Sequence, residues 1–261
     1  EREVARKGKR RRQLDMAVAT IQRRYGPRAL VKGNPASATR VPHISTGFPD
    51  LDRALGSGGL PKGKICELVG PATSGKTTLA LKFLAQAQSA GGQVAYVDQA
   101  LYFDPDYAHR CGLDLSRLLV GTSHDLQEAL SMTEALVHSG GLAALVFDAL
   151  DFLWTDAEAA HLLAATLNRL PVALSRSGTI LLVLHESPSG SLPAGEGPAL
   201  SALAHHATVR LQVVRERWLP NHKDVRGYEA RVGIQKNRVG PAGRTVLLTL
   251  EFNGTVRGNG L

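Results

Sequence analysis

The chain has no apolar run approaching the roughly 20 residues needed to span a bilayer. Its first residues are charged, and no apolar segment follows that could serve as a secretory h-region. Cysteine is scarce, with Cys66 and Cys111 alone among 261 residues, which fits neither a disulfide framework nor a metal site. Each lies in an apolar stretch and reads as a buried free thiol. No internal repeat is present. These absences lead us to expect a cytoplasmic protein with no membrane association. Its length and 43% hydrophobic content suit one large α/β domain with a small appendage.

Acidic residues are the minority, and the formal net charge is +8. That balance favours acidic partners, nucleic acid first. The cations gather at the two ends of the chain. Arg2, Arg6, Lys7, Lys9, Arg10, Arg11 and Arg12 form an N-terminal arm, expected to be frayed in isolation. It suits either phosphate contact or solubility. From Gln13 the pattern turns helical: Leu14, Val18, Ile21 and Tyr25 fall on one face, and Gly26-Pro27 stops the helix. Residues 29–43 read as a polar linker. We therefore divide the chain into 1–43 (arm, helix and linker) and 44–261 (core). The apolar stripe of the helix needs a partner, either its neighbour in an assembly or another protein.

Strands are expected at Ile65–Val69, Val94–Asp98, Leu118–Val120, Ala143–Asp148 and Thr179–Leu184. Helices are expected at Thr78–Ser89, Asp125–Ser139 and Asp156–Arg169. This alternation implies a mostly parallel twisted sheet covered on both faces. Beyond residue 207 the rhythm changes. Thr208–Val214, Ala230–Lys236 and Thr245–Phe252 read as strands joined by turns, an antiparallel extension of the same sheet.

One segment carries chemistry. Gly70-Pro71-Ala72-Thr73-Ser74-Gly75-Lys76-Thr77 fits G-x-x-x-x-G-K-T, between an apolar strand and a helix. The glycines let backbone N–H groups wrap a β-phosphate, and the helix N-terminus favours the anion. Lys76 would reach the β- and γ-phosphates, and Thr77 would offer its hydroxyl to Mg²⁺. Thr78 follows in the same turn and joins the expected ATP contacts. The apolar strand Leu145-Val146-Phe147 ends in Asp148, expected to hold Mg²⁺ through water.

The residues around this loop are similar to those of the bacterial RecA family. The matching segments are Ile44-Ser45-Thr46-Gly47, Leu51-Asp52, Ala54-Leu55-Gly56, Gly58-Gly59-Leu60-Pro61, GPATSGKTT, Phe103-Asp104-Pro105, Tyr107-Ala108, Val209-Arg210-Leu211 and Lys236-Asn237-Arg238. The resemblance runs from about residue 12 to residue 255, and it leads us to expect that family's C-terminal domain to be missing. It implies a RecA-like core that binds ATP with Mg²⁺ and acts in DNA recombination and repair. It also implies that Asp104 and Tyr107 contact the adenine, Tyr107 by stacking. Lys236 and Arg238 would reach the ATP of an adjacent subunit.

Departures from the family pattern shape the functional expectation. The catalytic glutamate of the family falls at Ala100, next to Gln99, which can orient water but cannot take its proton. Removing a general base typically costs about 10²–10⁴ in rate. Asp98 is expected to be tied to the phosphate-loop region. Ala72 stands where the family has a glutamate. His185 stands at a γ-phosphate-sensing glutamine, suited either to a phosphate contact or to the core. The first DNA loop, near residues 150–156, reads as shortened. The second, residues 186–203, reads as flexible and holds no lysine, arginine or aromatic, so it lacks what single strands require. Single-stranded DNA is therefore expected, if bound, at the basic arm or at residues 210–244. The expected protein is an ATP-binding RecA paralogue with weak or absent hydrolysis, accessory to RecA or to translesion synthesis. An active recombinase and a kinase on a RecA-like fold are the alternatives.

Overall fold

A computed structural model describes residues 2–27, 29–30, 41–99, 101–148, 157–186, 198–221, 224–252 and 256–258. It contains two compact units, Glu1–Arg40 and Val41–Leu261. The first holds one helix, α1 (Arg2–Tyr25). The basic run is thus part of the helix from Arg2, as the good helix propensity of arginine and lysine permits. Gly26, at φ +95°, ends the helix in a left-handed conformation that glycine adopts without strain. Leu14 and Tyr25 remain exposed on its surface.

The second unit is built on a nine-stranded sheet of order β11-β10-β9-β8-β3-β7-β6-β4-β5. Its strands are β3 (Ile65–Gly70), β4 (Val94–Asp98), β5 (Leu118–Thr122), β6 (Ala144–Asp148), β7 (Ile180–Glu186), β8 (Val209–Asn221), β9 (Asp224–Asn237), β10 (Thr245–Phe252) and β11 (Val256–Gly258). Strands β8, β3, β7, β6, β4 and β5 run parallel. Strands β9, β10 and β11 continue the same sheet antiparallel, as the changed rhythm after residue 207 implies. A small ribbon pairs β1 (His43–Ile44) with β2 (Leu60–Pro61).

One face of the sheet packs on α2 (Pro49–Leu55), α3 (Lys76–Ser89) and α4 (Pro105–Arg110). The other packs on α5 (Leu126–Ser139), α6 (Ala157–Ser177) and α7 (Pro198–His206). Central strands are buried on both sides, so they read as continuous apolar runs. Asp125 caps α5 by accepting from the Glu128 amide at 2.9 Å, as its position before the periodic segment suggests. The motif residues at 45–52 serve packing: Asp52 accepts from the Ser45 hydroxyl at 2.5 Å, and from the Thr46 amide at 2.9 Å and hydroxyl at 2.7 Å. These bonds fix the turn that leads into α2.

Three expectations need correction. Helix α6 runs to Ser177, past Arg169 and through Pro171. Residues 198–206 are helical as α7, where a flexible loop reaching 203 was expected. Asp98 does not reach the phosphate loop. Its carboxylate accepts from the amides of Tyr102 at 3.2 Å and Phe103 at 2.8 Å, closing the turn after β4. Ala100 and the first loop lie outside the described residues. Among those described, no helix is long and apolar enough to cross a membrane.

Candidate nucleotide-binding site

Strand β3 delivers the chain into residues 71–75, and Lys76 opens α3. Two glycines are required here for stated reasons. A Cβ on Gly70 would lie 2.1 Å from the carbonyl oxygen of Val213 on β8. Gly75, at φ +102°, would place a Cβ 2.6 Å from the Tyr228 hydroxyl. Thr73 holds φ +56°, an uncommon conformation for a non-glycine residue. The two glycines that bracket the loop are therefore held close against the β8–β9 hairpin.

The loop borders a cavity of about 630 Å³. Residues 72–78, Tyr107, Asp148 and His185 all line it, with Tyr102 and Glu186. Lys76 donates to the carbonyls of Gly70 at 2.9 Å and Pro71 at 2.8 Å. Its Nζ also lies 3.9 Å from Oε1 of Glu186. The hydroxyl of Ser74 is buried with no hydrogen-bond partner among the described residues. A buried polar atom of that kind calls for a ligand. The orphan hydroxyl, the helix N-terminus and Lys76 together fit a phosphate chain. Thr77 and Asp148 border the same space and would hold Mg²⁺. The Tyr96 hydroxyl donates to Oδ2 of Asp148. Burial, then the Asp148 charge, push the Tyr96 phenol well up, so it stays a neutral donor that orients the carboxylate.

Other expected residues take different places. The Thr78 hydroxyl is engaged by the hydroxyls of Tyr107 at 2.7 Å and Tyr228 at 3.1 Å. Asp104 does not line the cavity; it caps α4, accepting from the Tyr107 amide at 3.0 Å. Gln99 is fully buried and also outside the lining, its backbone N–H donating to the Asp148 backbone carbonyl at 3.1 Å. His185 is buried, with Nε2 at 2.5 Å from Oε1 of Glu67 and Nδ1 at 3.1 Å from its neighbour's carbonyl. Oε1 of Glu67 also lies 3.3 Å from Nε of Arg210. The histidine thus joins a buried polar cluster with Glu67 and Arg210 while still bordering the cavity.

Lys236 and Arg238 sit at the C-terminus of α7. Lys236 donates to the carbonyls of Ala204 at 2.5 Å and His205 at 3.1 Å, and Arg238 to that of His205 at 2.8 Å. Burial, then Arg238, lower the Lys236 pKa. Three arginines of the basic 210–244 segment are paired between strands: Arg217 with Glu229 and Arg231 with Glu216 across β8 and β9, and Arg226 with Glu251 across β9 and β10.

The far wall was missed by the sequence reading as a nucleotide site. Arg215, Trp218, Tyr228 and Phe252 line it. The Arg215 guanidinium lies 4.2 Å from the Trp218 ring centre and donates to the Thr73 carbonyl at 2.7 Å. Trp218 meets Tyr228 edge-on at 5.7 Å, and Tyr228 meets Phe252 at the same distance. These residues lie far from the loop in sequence and converge only because β8 and β9 pair Trp218 with Tyr228.

A parallel sheet whose β3 ends in such a loop, with a carboxylate at the end of β6, defines a P-loop nucleotide-binding protein. The family model of the RecA N-terminal domain matches residues 12–257. Protein RecA of Chloroherpeton thalassium is 35% identical over 94% of this chain and 73% of its own length. Protein RecA of Rubrobacter xylanophilus is 35% identical over 92% and 74%, and that of Bdellovibrio bacteriovorus 36% over 87% and 65%. The chain belongs to the RecA family.

Proposed function

We propose that this chain is an ATP-binding RecA-family protein of DNA recombination and repair, with slow turnover and an accessory or regulatory role beside RecA or in translesion synthesis. The observation that carries the ATP reading is the cradle itself: a strained loop, Lys76, and an orphan Ser74 hydroxyl on one cavity. Thr77 and Asp148 supply the Mg²⁺ side. The aromatic wall and Tyr107 supply ring faces for a base. Support for slow turnover is Ala100 at the position where the family resemblance implies a base.

Single-stranded DNA is assigned to the N-terminal arm rather than to the β8–β9 hairpin. Lys9, Arg10, Arg11 and Arg12 are exposed, whereas Arg217, Arg226 and Arg231 are paired with glutamates. Self-association or docking on RecA is assigned to the exposed apolar residues of α1. Lys236 and Arg238 contact the ATP of an adjacent subunit in that assembly, which requires them to leave the α7 carbonyls.

The experiment is an ATPase and DNA-binding titration of the chain, with and without RecA. Slow phosphate release with little stimulation by single-stranded DNA, and altered RecA filament activity on addition of the chain, are expected. Strong DNA-dependent turnover by the chain alone would remove the accessory reading and leave a recombinase.

A further inference from the structure

Period-two alternation sorts the ends of β6 and β7 between the two faces of the sheet. Val146, Leu182 and Leu184 face the cluster around α3, and Phe147 and Val183 face the opposite one. Asp148 and Glu186 therefore continue the α3 side, where the loop lies, while His185, which also borders the cavity, is held by Glu67 through Nε2. Asp148 and Glu186 are the carboxylates that line the cavity among its described residues. Asp148 is oriented by Tyr96 and lines the same cavity as Thr77, with which it would hold Mg²⁺. Glu186 is left beside Lys76, its Oε1 3.9 Å from Nζ, with about a third of its side chain accessible.

We infer that Glu186 is the proton acceptor for water attacking the terminal phosphate of a nucleoside triphosphate in this cavity. The inference rests on the ATP reading of the cavity proposed above. A lysine that grips the β- and γ-phosphates brings the terminal phosphate to its own ammonium. A carboxylate about 4 Å from that ammonium then has room for one water between itself and the phosphorus, within the hydrogen-bond reach of about 2.6–3.2 Å that a general base requires. The water oxygen forms the new bond to phosphorus. The bond from phosphorus to the β,γ-bridging oxygen breaks, and its electron pair leaves with the nucleoside diphosphate. The water proton passes to the Glu186 carboxylate and then to solvent. Glu186 thus works from β7, the strand between β3 and β6, and its charge is offset by Lys76 in the resting protein.

The test uses the full chain and its Glu186→Gln and Glu186→Asp variants. Mg-ATP binding is measured by calorimetry and phosphate release at saturating ATP. Glu186→Gln is expected to bind Mg-ATP as tightly as the parent or a few-fold tighter, because an anion beside the triphosphate is neutralised. Its turnover is expected to fall about 10²-fold or more, with loss of the acidic limb of the pH–rate profile. Glu186→Asp should retain part of the turnover. Unchanged turnover in Glu186→Gln overturns the inference, as does binding weakened tenfold, which would make the residue a support for Lys76. Parent protein that binds Mg-ATP and releases no phosphate overturns it too, while leaving the ATP site standing. Parent protein that does not bind Mg-ATP removes the ATP reading and the inference with it.

Discussion

The hydroxyl of Tyr228 donates to Oγ1 of Thr78 across 3.1 Å, tying β9 to the first turn of the helix that follows the phosphate loop. The same phenol stands where a Cβ on Gly75 would need to be. The hairpin is therefore the lid that fixes the loop's shape, and the loop's glycine is matched to it.

Gly75→Ala should be costly on both counts, positive φ and steric overlap. Strain of this kind costs on the order of 1–3 kcal/mol. Urea unfolding should show that loss, and Mg-ATP binding should fall with it. The overlap reaches the Tyr228 ring as well as its hydroxyl, so Gly75→Ala with Tyr228→Phe should recover little, whereas Tyr228→Ala in the same background should recover more.

Glu67 is fully buried between His185 and Arg210. Removing the carboxylate takes from the buried Arg210 guanidinium and from His185 the partner they share. Glu67→Leu should destabilise the chain by about 3–5 kcal/mol, read as a lowered urea midpoint. A change under 1 kcal/mol would mean that water reaches this cluster.

Both thiols should be slow to react in the native protein. Burial pushes the Cys66 thiol far up, and pushes Cys111 up to about 11 against the lesser pull of Lys82. A raised thiol pKa means the thiolate is scarce below that pH, so at pH 8 both groups are protonated as well as shielded. A disulfide-exchange reagent should label neither within minutes at pH 8, and both in urea. Fast native labelling would contradict the packing of β3 and α4.

Trp218 should report nucleotide. It lines the cavity half-exposed, with Arg215 over its ring. In a Trp154→Phe background, which leaves Trp218 as the single indole, Mg-ATP should shift its emission saturably. No shift at concentrations where calorimetry shows binding would place the base away from the hairpin wall.

Much of the parallel core was legible because its strands are buried on both faces and read as apolar runs between glycines. The phosphate loop was legible because its residues are contiguous, and their spacing is imposed by the anion they hold. The aromatic wall was not, because Trp218, Tyr228 and Phe252 are brought together by strand pairing that leaves no local spacing to read. Glu186 was hidden for a simpler reason: it follows His185, and one residue's difference in register decides which face of a strand a side chain occupies. Asp98, expected beside the phosphate loop, and Asp104, placed at the adenine by the family resemblance, both accept from backbone amides at chain turns, a role short acidic side chains commonly fill. Helix α7 was missed because its segment begins among glycines and prolines.

The most direct measurement is a calorimetric titration of Mg-ATP into the chain and into its Lys76→Ala variant. Saturable binding to the parent, lost in the variant while its fold is retained by circular dichroism, is the expected result. Equal affinity in the two proteins would contradict the assignment of residues 70–77 as the triphosphate cradle.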